Sequence, residues 1–106
     1  MNQAIHALIY CRAARHSART LQLQQQRCQR KAADLGATET VTIVDHQTIG
    51  GVDRPAVQQM RSLLATGTID VVVVDSPDRL SRRLVDLRAL SQDVSRAGAR
   101  LVFVAS

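Results

Sequence analysis

Apolar residues gather along this chain in two kinds of pattern. Ala7 to Tyr10, Val71 to Val74 and Leu101 to Val104 are short continuous apolar runs, and Val41 to Val44 is a β-branched one. Runs of that length, bounded by polar residues, read as buried strands. Between them the apolar positions recur at helical spacing. Thr20 to Leu35 puts Leu21, Cys28, Ala32 and Leu35 on one face, with Gln and Arg elsewhere. Thr20 is a possible cap and Gly36 a natural stop. Pro55 opens a second helix at a position that tolerates proline. Val57, Met60 and Leu64 line its face, and Gly67 ends it. Leu84, Leu87, Leu90, Val94 and Ala97 give a third, stopped by Gly98. His46 to Asp53, with its Gly50-Gly51 pair, and Asp75 to Arg83 read as loops.

The order β-α-β-α-β-α-β predicts an α/β fold of three layers. A mainly parallel sheet of four strands, or slightly more, carries helices on both faces. The unbroken Val71 to Val74 run fits a strand covered on both sides. In such sheets ligands bind beyond the carboxyl ends of the strands. That rule selects Arg12 to Ser17, Asp45 to Arg54 and Asp75 to Arg82.

Composition narrows the chemistry. The 106 residues suffice for one domain, and 45% are hydrophobic, so the chain should fold. Tyr10 and Phe103 are its only aromatics, so the core must be aliphatic and no base-stacking platform is available. Fourteen basic residues against nine acidic ones give a formal charge of +5, which favours an acidic partner, nucleic acid first. No signal peptide or long apolar run is present, so a cytoplasmic protein with no membrane association and reduced thiols at Cys11 and Cys28 is expected. Those cysteines and the scattered His6, His16 and His46 make no zinc pattern, and neither a metal nor a cofactor is expected.

The selected segments hold Arg12, Arg15, Arg54, Arg79, Arg82 and Arg83. A guanidinium is a planar fork that stays charged and pairs with phosphate oxygens two at a time. Several converging on one edge would stabilise a phosphoryl transition state without a metal, whereas singly each is an ordinary solvated loop charge. Asp75 follows the valine run as in a nucleotide hydrolase, yet no GxxxxGK[ST] loop exists to cradle a nucleotide. Asp78 reads as a partner that orients Arg79 or caps the next helix, and Ser17, Ser76 and Ser81 as cap or turn hydroxyls.

Four stretches resemble the N-terminal catalytic domain of the serine recombinases, the resolvases and invertases. IYCRAA is similar to that family's Tyr-x-Arg-x-Ser strand end, followed by LQLQQQRC, which resembles the glutamine-bearing start of its first long helix. VDHQTIGGVDRPAVQQM resembles the loop that usually reads Asp, a Ser-Gly pair, then Asp-Arg-Pro. IDVVVVDSPDRLSRRLVDL resembles the Asp-Arg-Leu-x-Arg segment after a valine-rich strand. The resemblance implies DNA cleavage and rejoining through a phosphoserine link, with arginines balancing charge and no metal. It places Arg12, Arg54, Arg79 and Arg82 on the family's active-site arginines, Asp78 on the acid beside them and Asp45 on the acid of the second loop. It also implies DNA as partner and, in the full family architecture, a dimer or tetramer.

Two departures matter. The family's nucleophile position, two residues after Arg12, is Ala14, which has no oxygen with which to attack phosphorus. The Ser-Gly pair is Ile49-Gly50, so a second hydroxyl is missing. Ser17 lies three residues further on, where it is not expected to stand in line for attack. The chain is therefore expected not to cleave DNA by the family's serine mechanism. Residues 1–106 are expected to form the resolvase-like catalytic domain, stopping before the family's long dimerisation helix and DNA-binding region. A non-catalytic module that binds DNA weakly or pairs with a partner is the alternative, and an unrelated domain for a phosphorylated small molecule is a third reading.

Overall fold

The structure, a computed structural model, describes residues 4–13, 17–46 and 54–105. Four parallel strands form one sheet in the order β2-β1-β3-β4: β1 is His6–Arg12, β2 Glu39–Asp45, β3 Val71–Val74 and β4 Arg100–Phe103. The helices are α1 Ala18–Asp34, α2 Pro55–Ala65, α3 Pro77–Leu80 and α4 Leu84–Arg96. This is the predicted α/β architecture.

Strand alternation sorts the core into two layers. Ala7, Ile9, Cys11, Val71 and Val73 face α1, meeting Leu21, Cys28 and Ala32. Leu8, Tyr10, Ile43, Val72 and Val74 face the other way, against Val57, Met60 and Leu64 of α2, Leu80 of α3, and Leu90 and Val94 of α4. All four valines of β3 are buried, as a central strand covered on both faces requires. Cys11 and Cys28 are free and buried in the α1 layer. Gly36 ends the α1 turn at φ +86°, a left-handed conformation that side chains with a Cβ avoid.

Three local expectations change. Helix α1 begins at Ala18, so its N-cap is Ser17 rather than Thr20. The Asp75 to Arg83 loop contains the one-turn helix α3, started by Pro77. Leu84, read as a core position, is 63% exposed beside Val85 at 62%. It is the first residue of α4, and the buried face of that helix is established only further along, by Leu90 and Val94. No helix among the described residues is long and apolar enough to cross a membrane.

Strand order fixes where a ligand can sit. From β1 the chain moves outward to β2, then returns past β1 to β3. The connections leave β1 and β3 on opposite faces, since α1 covers one side and α2 and α4 the other. Their carboxyl ends diverge into a crevice, the switch point at which sheets of this order take ligands.

Candidate active site: an arginine cleft over a buried ion pair

A cleft of about 270 Å³ opens at that switch point, lined by Arg12, Ala13, Ser17, Thr20, Asp78, Arg79 and Arg82. Arg12 ends β1. Asp78 and Arg79 belong to α3, just past the end of β3, and Arg82 follows it. Ser17 and Thr20 come from the start of α1.

A side chain that lies well outside the strand end fixes Arg12. The Gln24 amide, 1% exposed, accepts the Arg12 backbone N–H through Oε1 at 3.0 Å and donates Nε2–H to the Arg12 carbonyl at 2.9 Å. One buried amide thereby satisfies both backbone groups of the residue where β1 leaves the sheet, which would otherwise be costly to bury. The Arg79 Nη1 also donates to the Arg12 carbonyl, at 3.3 Å, tying α3 to the same point. The three glutamines Gln24, Gln25 and Gln26 are alike in sequence, and only helical phase selects Gln24 for the buried face.

Beneath the cleft lies a buried polar network. Arg54 donates from Nε to Asp45 Oδ2 at 2.8 Å, with the two side chains each 2% exposed. The Tyr10 hydroxyl donates to the same Asp45 oxygen. Arg54 Nη2 reaches the Tyr10 hydroxyl at 3.3 Å and the Leu80 carbonyl at 2.9 Å. This network joins β1, β2, the start of α2 and the end of α3. Burial foremost, and then the bond to Asp45, raise the Tyr10 phenol well above its ordinary pKa, against the opposing pull of Arg54.

The predicted arginines therefore separate. Arg12, Arg79 and Arg82 share the cleft. Arg54, expected beside them, is 3% exposed and engaged with Asp45 and Leu80 below. Arg83 points elsewhere and pairs with Asp86 at 3.6 Å. Arg15, Ala14 and the Ile49-Gly50 pair lie outside the described residues. Asp78, expected to cap a helix or orient Arg79, accepts a hydrogen bond from the Ser76 hydroxyl. That bond foremost, with its own backbone N–H and then Arg79 and Arg82, holds its carboxyl below the ordinary range. Burial lowers the pKa of Arg12, and the Arg54 and Arg82 guanidiniums push the same way, while Tyr10 and Asp45 oppose them. Positive groups thus crowd one another around Arg12, an arrangement that an incoming anion relieves.

Among the described residues no group of three or more His, Cys, Asp or Glu side chains could hold a metal ion. A larger hollow of about 500 Å³ lies between the ends of α2 and α4, bordered by Arg61, Leu64, Asp93 and Arg96. Arg61 is tied to Asp93 there at 2.8 Å, and both helices run antiparallel to the strands, so this hollow sits at the opposite edge of the sheet.

Comparison with known proteins agrees with this fold. The C-terminal catalytic domain of ISC1926 TnpA, an IS607-like serine recombinase, superposes with a TM-score of 0.80 at 21% identity, covering 96% of this chain and 69% of that one. The corresponding domain of IS1535 TnpA gives 0.67 at 27% identity, covering 93% and 70%. A resolvase family site-specific recombinase from Streptococcus pneumoniae gives 0.77 at 20%, covering 94% and 72%. No curated protein matches in sequence. The family model "Resolvase, N terminal domain" matches residues 7–106, nearly the whole chain, and the chain accordingly belongs to the serine recombinase catalytic-domain family, whose work is site-specific recombination.

Proposed function

We propose that this chain is a catalytic-type domain for DNA strand cleavage and rejoining whose cleft seats a DNA phosphate but which, with alanine at position 14, does not cut through its family's nucleophile. The observation that carries this reading is the meeting of Arg12, Arg79 and Arg82 in one cleft at the β1/β3 switch point. Three guanidinium forks offer paired donors to non-bridging phosphate oxygens and hold their charge throughout. Asp78 orients that set. Arg54 and Asp45 act from below, as positioning residues that hold α3 against β1 and β2. Arg83, paired with Asp86 outside the cleft, is not needed for this reading, and Arg15 enters it only as a further cation of the same sequence segment as Arg12. The partner is DNA, and self-association into a dimer or tetramer is expected in the full family architecture.

Phosphate contacts have a measurable signature, because each releases counterions and steepens the salt dependence of binding. Titration of a labelled duplex between low and raised salt should show affinity falling with salt, and Arg79→Gln and Arg82→Gln should each reduce the slope by about one. Binding without salt dependence would count against the cleft as a phosphate site. Ala14→Ser tests the chemical half: a covalent protein–DNA adduct in this variant alone identifies position 14 as the missing element.

Ala14 equally favours a second reading, a non-catalytic module that pairs with an active relative. Sedimentation of the chain alone and mixed with such a relative separates the two: the pairing module forms a mixed complex with or without DNA.

A further inference from the structure

The charge of the cleft bears on which phosphate it takes. Among the described lining residues Arg12, Arg79 and Arg82 bring three positive charges and Asp78 one negative, a net of +2. The lining also holds two hydroxyls, Ser17 and Thr20. Ser17 is the N-cap of α1 but makes no side-chain capping bond, and the first turn of that helix has no acidic residue. The positive end of the helix dipole is therefore not neutralised by its own sequence and adds to the same field.

An internal DNA phosphodiester carries one negative charge and two non-bridging oxygens. During strand transfer a second negative charge develops on phosphorus, as the attacking oxygen joins it. With alanine at position 14 that stage is not reached through the family's nucleophile. A phosphate monoester supplies the second charge in its resting state, with a third terminal oxygen for the third guanidinium fork.

We propose that the cleft is a receptor for a phosphate monoester dianion, supplied by the phosphorylated end of a DNA strand. This rests on the reading of DNA as partner and specifies the part of DNA that is held. Arg12 anchors the site from its buried, Gln24-clamped position, and the more accessible Arg79 and Arg82 close on the phosphate from α3 and the turn after it. The hydroxyls of Ser17 and Thr20 supply neutral donors from the opposite wall.

The test compares one short fluorescent duplex in three forms: 5′-phosphorylated, 3′-phosphorylated and hydroxyl-ended. A terminal phosphate at either end should tighten binding by about tenfold at low salt, the worth of one charge-assisted hydrogen bond. Arg79→Gln and Arg82→Gln should each erase that preference while leaving the fold, followed by circular dichroism, intact. The preference should grow from pH 5 to pH 7.5, because the second ionisation of a monoester lies near a pKa of about 6. Equal binding of all three duplexes overturns the proposal and leaves the phosphodiester reading standing. Absence of any DNA binding overturns both. A preference that does not change with pH overturns the dianion, and thymidine 5′-monophosphate competing as well as phosphorylated DNA overturns the strand end as its source.

Discussion

Asp45 and Arg54 are the residues whose position differs most from their apparent role. Both stand in motif positions beside the cleft arginines, yet both are almost wholly buried and bonded to each other. Removing one partner of such a pair leaves a charge in the interior without its counter-charge, at a cost of about 3–5 kcal/mol. Asp45→Ala should therefore lower unfolding stability by that amount in urea titration, a large share of the total for a domain this size. A solvent-facing catalytic acid would cost well under 1 kcal/mol, and that smaller result would refute the interior role. The sequence revealed which residue types gather at the strand ends but not their depth. Arg54 and Arg79 are both arginines after an acid, yet Arg54 is buried against Asp45 and the Leu80 carbonyl while Arg79 lines the cleft.

At the scale of elements, hydrophobic period located the four strands and three long helices of the described residues, because the two-sided burial of β1 and β3 writes itself into continuous apolar runs, β2 shows as a β-branched one, and the helices show as stripes. It failed where an element begins. Leu84 continues the stripe of Leu87, Leu90 and Val94, yet it stands in solvent, while Leu90 is fully buried. Leu90→Ala should cost about 2–5 kcal/mol by chemical denaturation, and Leu84→Gln should change stability by less than about 0.5 kcal/mol. A comparable loss from both would mean that α4 lies against the sheet from its first turn. The short helix α3 was hidden for a related reason: four residues are too few to show a period, and Pro77 with the turn residues around it reads as loop. Gln24 escaped notice as an individual because a glutamine on a helix looks solvated until its phase relative to the strand is known.

The whole molecule should register the buried tyrosine in its pH response. The folded state holds the Tyr10 phenol above its ordinary pKa of 10.0. Below that value both states keep the proton and the contribution is complete. Above it the unfolded chain releases its proton while the folded chain retains it, so unfolding becomes easier by up to about 1.4 kcal/mol per pH unit. Thermal melts between pH 9 and pH 11 should show a steeper fall in Tm for the native chain than for Tyr10→Phe, and parallel curves would place the phenol in water. The same interior network has a consequence for how such chains change over generations. Tyr10, Asp45 and Arg54 hold four elements together whether or not any strand of DNA is cut. Selection for a foldable protein alone is enough to keep them, since removing any one strands a buried polar partner. The presence of these three residues in a chain is therefore a reading of its fold and by itself no measure of the chemistry that chain performs.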